Sequence, residues 1–446
     1  MKGCENMLKS VSTETIDFGT DSIFKTLIRL APPVMFAQLI QALYNIMDSF
    51  FIGKFSEDGL TALSIIYPIQ LLMIALAVGT GVGINTLMAY YCGIDKKRES
   101  EETAGVGTVL GVVLWIVFAF VCFMIMPAYA KMSTDSPEVI RQVVLYGRIV
   151  CIFSIGLFVE SIWTKVLQAG GNMHTPMAAQ IIGAVINIIL DPILIFGFGV
   201  IPAMGIAGAA IATVLGQMAA ALVVMRHGFR KTPALKKYLG YIKLIYKFGF
   251  PNILMKSAYT FYILGLNLIL KGFSNQAITA LGLYYKWQTF FFIPLEALQT
   301  CMVPIVSYNY AADKYDRCKK TLNNSLIMGL ILMFIGTMCF EFIPRQLLNI
   351  FSNDPLVISI GIVGFRWIGI SFLPMVTSLI FPVFFQAIGC YVRSSALTII
   401  RTVVLFVPLG WLFSRFGLER FWMTFFVTES VTTIIGFLLY KTFRRE

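Results

Sequence analysis

The stretch RHGFRKTPALKKYLGYIK, residues 226–243, is the longest basic interruption in a chain otherwise dominated by apolar runs. Of the 446 residues, 58% are hydrophobic and only 13% are charged. This balance is typical of an integral membrane protein rather than of a soluble domain. Because the stretch lies near the middle of the chain, it predicts two membrane-embedded halves joined by a polar connector.

Apolar segments of nearly uniform length recur on both sides of the connector. A spanning helix needs roughly 20 residues to cross about 30 Å of hydrocarbon. Twelve segments are long enough, six on each side, so the sequence predicts an all-α polytopic membrane protein with twelve transmembrane helices in two six-helix bundles. The expected spans are 27–52, 60–91, 104–127, 143–166, 177–198, 204–226, 246–270, 279–311, 322–344, 358–390, 396–415 and 421–441.

The two halves are related by a constant shift of 218 residues, which places Asp95 on Asp313 and Gly171 on Gly389. An even number of spans in each half lets both insert with the same orientation, and such pseudo-symmetric bundles enclose a central cavity at their interface. The layout predicts a transporter. Further superposed pairs are Pro33 and Pro251, Tyr67 and Tyr285, Tyr90 and Tyr308, Arg148 and Arg366, Gln168 and Gln386, and Gly199 and Gly417.

Lysine and arginine are distributed unevenly between the two sides of the membrane. With the N-terminus inside, and with basic residues near the ends of the expected spans counted in the adjoining segments, 24 of the 35 fall in inner segments and eight in outer segments, and the remaining three, Lys256, Lys286 and Arg366, lie within spans. Basic residues concentrate in cytoplasmic loops, so this bias predicts a multi-pass protein of the cell (inner) membrane with both termini cytoplasmic. It also accounts for the net charge of +12 without a nucleic-acid partner.

The expected spans and the distribution of basic residues together predict domain boundaries. We expect a cytoplasmic N-terminal segment 1–24, an N lobe 25–226, a cytoplasmic connector 227–245 and a C lobe 246–446. The N-terminal segment lacks the apolar core of a signal peptide, so no cleaved leader is expected.

A carboxylate stands in the middle of the first span, in YNIMDSFFIG, residues 44–53. Asp48 follows Asn45, Gln41 and Gln38 at helical spacing, so the four side chains share one face. An acid at the membrane centre costs roughly 2.5 to 3.5 kcal/mol to insert. This polar face must therefore look into the bundle or into a water-filled cavity.

A second polar face lies on the fifth span, where Asn187 and Asp191 are four residues apart, and the sixth span adds Thr213 and Gln217 at the same spacing. If these faces meet Asp48, they form an all-oxygen cluster that suits a hard cation or a proton shared by coupled acids. Two ionised aspartates in a low-dielectric pocket need a bound cation or a proton. The sequence leaves H⁺ and Na⁺ open as the ion.

The chain contains the motifs NIMDSFFIGKFS (45–56), LQAGGNMHTPMAAQ (167–180), INIILDPILIFGFG (186–199), GIAGAAIATVLGQ (205–217), YKWQTFFFIPLEALQ (285–299) and PIVSYNYAADKYDR (304–317). Together these motifs resemble those of the bacterial branch of the multidrug and toxic compound extrusion (MATE) family, over essentially the whole chain. The resemblance implies export of organic cations from a central cavity in exchange for inward H⁺ or Na⁺. The cation site that it implies consists of Asp48, Asn187, Asp191 and Thr213.

The resemblance also implies a site-lining role for Gln41 and a bend of the first helix at Pro33, with an ordinary static kink as the alternative for this proline. Some family members carry acids in the seventh and tenth helices, but 246–270 and 358–390 contain no carboxylate. Cation coupling is therefore expected in the N lobe.

Polar residues of the C lobe are weaker candidates. Lys286 and Glu296 are ten residues apart, about three turns, so we expect them on one side of the eighth span, and Lys256 could pair with Glu296. Structural pairing and substrate contact are both open. Glu160, Lys165 and Glu341 are expected to reach the membrane interface from span ends. The candidates to line the cavity are Gln41, Asn45, Gln217, Lys256, Lys286 and Glu296.

Other classes of function have less support. A lipid-linked oligosaccharide flippase of the same superfamily is the main alternative, but twelve spans and the N-lobe acids favour the antiporter. With two histidines and no His-Glu-x-x-His, Gly-x-Ser-x-Gly or phosphate-loop motif, no enzyme is expected. We expect no cofactor beyond the coupling ion, a functional monomer, and the lipid bilayer and small organic cations as partners.

Overall fold

A computed structural model describes residues 16–199 and 201–443 of the chain. Within these ranges the regular structure is helical, apart from one isolated β-bridge between Phe198 and Ile201. The first half contains α1 (Ile23–Phe55), α2 (Glu57–Gly93), α3 (Lys97–Ser133), α4 (Pro137–Ile152), α5 (Ile155–Ala169), α6 (His174–Phe196), α7 (Ile206–Gly228) and a 3-10 helix, Leu235–Lys237. The second half contains α8 (Tyr238–Lys271), α9 (Asn275–Phe291), α10 (Ile293–Ala311), α11 (Tyr315–Phe342), α12 (Pro344–Asn349), α13 (Pro355–Ala387), α14 (Tyr391–Ile399), a π-helical segment (Ile400–Phe406), α15 (Val407–Ser414), α16 (Leu418–Phe421) and α17 (Met423–Phe443).

The predicted fold class is confirmed. Ten helical stretches of the described residues are long and apolar enough to cross a membrane, and the bent pairs α4 with α5 and α9 with α10 raise the number to as many as twelve. The predicted spans 143–166 and 279–311 are nevertheless not straight helices, because their two parts are bent by 43° and 49°. At the second bend Pro294 lies in the first turn of α10, where its missing N–H interrupts the preceding helix.

The backbone repeats in both halves, as the shift of 218 residues predicts. Asp95 and Asp313 adopt φ values of 58° and 56°, a left-handed conformation that is uncommon outside glycine. The following residues, Lys96 and Lys314, each donate a backbone hydrogen bond of 2.8 Å to the preceding helix. The shift-related glycines also share a positive φ: Gly171 and Gly389 at 80° and 82°, Gly199 and Gly417 at 60° and 104°.

Helix starts repeat in the same way. The Ser56 hydroxyl caps α2 by accepting a hydrogen bond from Gly59 N at 3.2 Å, and the Ser274 hydroxyl caps α9 in the equivalent place. Ser136 and Asp354, also related by the shift, cap α4 and α13. Side-chain oxygens at these positions satisfy backbone N–H groups that have no partner within the helix. Equivalent helices of the two halves therefore begin at equivalent, side-chain-capped positions.

The described residues form two compact units. The N unit comprises Pro33–Ile253, and the C unit comprises Phe18–Pro32 together with 254–443. Helices α1 and α8 each contribute to both units. The boundary between the units lies at Pro33 in α1 and two residues after Pro251 in α8. These two prolines are related by the 218-residue shift. Each proline removes one backbone donor from its helix.

The segments that precede α1 and α8 are both held by side chains. In the C unit the Arg317 guanidinium donates to the carbonyls of Phe18 at 2.8 Å and Asp21 at 2.6 Å. In the N unit the Glu102 carboxylate accepts hydrogen bonds from Lys237 Nζ at 2.9 Å and Tyr241 Oη at 2.7 Å. Charge-assisted hydrogen bonds of this kind are stronger than neutral ones. They anchor the end of the basic connector to α3.

The two units have differently composed cores. The C unit is aromatic, with Phe340 stacked on Phe365 at a centroid distance of 4.6 Å and packed against Phe372 at 4.9 Å. Such pairs add about 0.5 to 1.5 kcal/mol each beyond the burial of their area. The N unit uses smaller residues, and its helices approach each other closely where glycines face glycines. This close approach positions the site.

Candidate functional site

The polar residues of α6 and α7 are brought together by a glycine contact. A Cβ built on Gly216 would lie 2.6 Å from the carbonyl oxygen of Gly183 and 3.1 Å from Asn187 Cβ. Only a residue without a side chain fits between these backbones, as is common where helices pack in membranes. The contact holds Asn187 of α6 beside the part of α7 that carries Thr213.

We expect Gly216→Val to separate α6 from α7, because the added side chain would overlap the Gly183 carbonyl. Overpacking of this kind costs typically 1 to 3 kcal/mol. The apparent melting temperature of the purified protein in detergent should fall. Gly282→Val is the matched control, since a Cβ at Gly282 of α9 meets nothing within 4 Å. Equal melting of the two variants would contradict the role of this contact.

The four residues of the expected cation site are all buried in the N unit. Asp191 is fully shielded at 0% exposure, Asn187 is 2% exposed, Thr213 is 6% exposed and Asp48 is 7% exposed. Asn187 Nδ2 donates to Asp191 Oδ1 at 3.3 Å, as their spacing of four residues on one helix allows. The carboxylates of Asp48 and Asp191 lie close enough for their charges to interact. Residues from α1 and α6 therefore contribute acids to one region.

Four oxygens of this set have no hydrogen-bond partner among the described residues: Asp48 Oδ1, Asn187 Oδ1, Asp191 Oδ2 and Thr213 Oγ1. A buried acceptor without a donor costs about 1 to 3 kcal/mol, and more when it is charged. A hard cation or a proton offsets that cost. Within the described residues no group of three or more His, Cys, Asp and Glu side chains is arranged for a metal ion. The oxygen set thus suits Na⁺ or H⁺ better than a transition metal.

A cavity of about 120 Å³ adjoins these residues inside the N unit. Asn187 and Thr213 lie on its wall, whereas Asp48 and Asp191 do not. Its volume accommodates several water molecules. The polar part of the wall consists of Gln41, Tyr44, Glu160, Ser161, Gln180, Asn187, Thr213 and Gln217. The cavity is therefore large enough to hold water beside two residues of the oxygen set.

The remaining candidates lie elsewhere. Asn45 is exposed, although it shares the helix of Asp48. In the C unit Lys286 and Glu296 are exposed and Lys256 is half-buried, and Lys286 Nζ lies 5.0 Å from the centroid of the Phe351 ring. The expectation that Lys286 and Glu296 share one straight helix is wrong. They stand on α9 and α10, which are bent by 49° where Phe292 separates them.

Sequence reasoning missed two features. Glu160, expected to reach the interface from a span end, instead lines the N-unit cavity, where the Thr164 hydroxyl donates to its carboxylate at 2.8 Å. Arg401 was counted among the basic residues of the inner segments, although the expected span 396–415 contains it. It is buried in the π-helical segment and forms an ion pair with the fully buried Glu429 at 2.6 Å. The rule that singled out Asp48, a charge within an apolar span, would also have found Glu429.

Arg401 and Glu429 belong to a larger buried network of the C unit. The guanidinium Nε also donates to both carboxylate oxygens, at 3.0 and 3.1 Å, and the Ser378 hydroxyl donates to Glu429. The guanidinium lies 5.2 Å from the centroid of the Phe406 ring, which stacks on Tyr262. Several hydrogen bonds and a ring contact thus compensate the loss of water around this pair.

Comparison with known proteins agrees with this architecture. The family model MatE matches residues 33–193 and again 251–412, once in each half. The multidrug export protein MepA of Staphylococcus saprophyticus is 24% identical over 431 residues, covering 95% of this chain and 94% of the relative. MepA of Staphylococcus aureus strain MRSA252 is also 24% identical, over 432 residues with the same coverage.

Solved structures share the fold. A MOP superfamily transporter from Pyrococcus furiosus, described as having reverse polarity of its binding pocket, superposes with a TM-score of 0.89 at 20% identity. It covers 99% of this chain and 98% of its own. An outward-facing multidrug resistance MATE family transporter superposes equally well, with a TM-score of 0.89 over 97% of this chain and 98% of its own, also at 20% identity.

The repeated helical halves and the polar site within apolar helices define a multi-pass membrane transporter rather than an enzyme. The chain belongs to the MATE family, because the family model matches both of its halves and most of its residues.

Proposed function

We propose that the protein exports several kinds of small organic cation, drugs among them, in exchange for inward movement of H⁺ or Na⁺. The observation that carries this proposal is the buried oxygen set of Asp48, Asn187, Asp191 and Thr213 beside a polar cavity. Similarity to relatives named multidrug export proteins, over nearly the full length of both chains, supports the export of drugs.

The proposed coupling follows from electrostatics. Without a cation, ionised Asp48 and Asp191 repel each other where little water screens them. A cation or proton that enters from outside relieves the repulsion and stabilises the arrangement of α1 and α6 in which both acids are close. Substrate release accompanies this state, and loss of the ion to the cytoplasm resets the site. Ion and substrate thus favour different states of one protein.

The available driving force is adequate for this exchange. A tenfold ion gradient supplies about 1.4 kcal/mol per ion. A membrane potential of about 100 mV adds roughly 2.3 kcal/mol per elementary charge moved. Exchange of one ion for one monovalent cation moves no net charge and therefore supports a concentration ratio of about ten. Two ions per substrate move one net charge and support a ratio of roughly several thousand.

The domain organisation of the proposal keeps the boundaries expected from the sequence: a cytoplasmic segment 1–24, an N lobe 25–226, a connector 227–245 and a C lobe 246–446. Both termini lie in the cytoplasm in this scheme, and one chain is sufficient for transport. Gln41 and Gln217 are proposed contacts for substrate, because both lie on the cavity wall. Roles for Asn45, Lys256, Lys286, Glu296 and a bend at Pro33 stay predictions.

The decisive experiment separates the two ions. Purified protein in proteoliposomes is given an inward Na⁺ gradient or an inward pH gradient, one at a time, and movement of ethidium is followed by fluorescence. We expect one gradient, and not an equal potassium gradient, to drive ethidium against its own concentration difference. An ionophore that collapses that gradient should stop the movement. Absence of ethidium transport under both gradients would overturn the proposed function.

A further inference from the structure

The N-unit cavity contains a carboxylate that the proposed ion site does not use. Glu160 of α5 lies on the cavity wall and is half-buried. Its Oε1 accepts a hydrogen bond from the Thr164 hydroxyl at 2.8 Å, which orients the group from within its own helix. Gln180 of α6 stands next to it on the wall, with its Oε1 buried and lacking a donor among the described residues.

The surroundings of Glu160 combine negative charge with apolar surface. Tyr44 lies close enough to Glu160 for an electrostatic interaction and contributes a ring to the wall. Ile74, Val78 and Leu157 complete the lining with aliphatic side chains. A carboxylate and amide oxygens facing an aromatic ring and aliphatic groups match the two ends of a lipophilic cation.

A cation of the protein itself, Lys165, lies near Glu160 but is not part of the cavity wall. Lys165 is one turn and a half further along α5 and interacts electrostatically with Glu160. Its ammonium group donates to Gln168 Oε1 at 2.8 Å, and its aliphatic stem packs against Gly81 of α2. Of these two charged side chains, Glu160 is the one that a ligand in the cavity can contact.

The three acids differ in the size of the ligand that can reach them. Asp48 and Asp191 are buried and lie off the cavity wall, so a proton or a bare ion reaches them and a drug does not. Glu160 is on the wall and half-exposed, so an organic cation reaches it directly. The cavity volume of about 120 Å³ is below the usual 300 to 1,000 Å³ of pockets for whole drugs. The cavity therefore has room for the charged end of a drug and an adjoining ring, not for the whole molecule.

We propose that Glu160 is a specificity-determining residue that binds the positive charge of monocationic substrates in the N-unit cavity, while Tyr44 and the aliphatic wall contact their apolar part. This inference rests on the proposed function, whose ion site it leaves unchanged. It assigns substrate charge to Glu160 and coupling charge to Asp48 and Asp191.

The test compares Glu160→Gln with wild type in two measurements on the purified full chain. Ethidium binding is followed by fluorescence anisotropy, and the response to Na⁺ or pH by intrinsic tryptophan fluorescence. We expect Glu160→Gln to weaken ethidium binding by about tenfold to a hundredfold, the loss of one charged contact. The response to the coupling ion should be unchanged. Glu341→Gln, a half-buried glutamate of the C unit, is the control and should alter neither.

A second variant distinguishes loss of the charge from misfolding. Glu160→Asp keeps the charge, so it should bind ethidium more tightly than Glu160→Gln. Wild-type affinity in Glu160→Gln, equal weakening in both variants, or a parallel loss of the ion response would each overturn the proposal. Ethidium binding by wild type without gradient-driven transport would instead overturn only the proposed function.

Discussion

Asp48→Asn is expected to leave the protein folded and to abolish ion-driven efflux. The substitution preserves the size of the side chain but removes its negative charge, so it also removes the repulsion with Asp191 that the coupling ion relieves. With a neutral amide in place, the protein no longer distinguishes the ion-bound from the ion-free state. In proteoliposomes with the effective gradient imposed, ethidium movement should fall to the rate of liposomes without protein.

The control for Asp48→Asn is Asp58→Asn, the same chemical change at an exposed position near the start of α2. It should transport at the wild-type rate. Asp191→Asn should behave as Asp48→Asn does, and the double variant should be no worse than either single variant, because the two acids act as one unit. Full transport by a well-folded Asp48→Asn protein would remove the basis of the coupling proposal.

Arg401→Met is expected to destabilise the C unit strongly. The change leaves Glu429, which is 0% exposed, without the guanidinium that now donates to both of its oxygens. Breaking a buried ion pair by removing one partner costs about 3 to 5 kcal/mol, because the other charge stays buried and uncompensated. Yield and apparent melting temperature in detergent should both fall clearly below those of wild type.

A double variant and an exposed ion pair show whether the loss of stability comes from a buried unpaired charge or from the lost attraction between the two charges. Replacing both partners, as in Arg401→Met with Glu429→Leu, should recover much of the stability, since no buried charge is left. Arg141→Met removes a pair of almost the same length, 2.7 Å to Glu138, but both of its members are exposed. It should change the melting temperature little. Equal effects of Arg401→Met and Arg141→Met would contradict the argument.

Much of the fold was predictable because it depends on quantities that sequence displays directly. The length of an apolar run sets a span, and the shift of 218 residues placed Asp95 on Asp313, two positions that share a left-handed backbone in the structure. The bends could not be found in this way. An apolar run looks the same whether its helix is straight or, as at Phe292, turns by 49°, because composition does not record direction.

The site was predictable to the extent that it depends on helical spacing. A spacing of four residues places Asn187 and Asp191 on one face, and the structure joins them by a hydrogen bond. Which faces meet across helices depends on packing, so the position of Glu160 on the cavity wall was missed. Arg401 was counted with the basic residues of the cytoplasmic side because such a count does not reveal that a buried partner, Glu429, holds the side chain inside.

The sharing of α1 and α8 between the two units has a consequence for any cut in the chain. Each unit incorporates the leading part of the helix that opens the other repeat, up to the prolines Pro33 and Pro251 or just beyond. A cut within residues 226–243 therefore gives two fragments, each of which carries a segment of the other unit and lacks a segment of its own. We expect neither fragment to complete a unit when it is expressed alone.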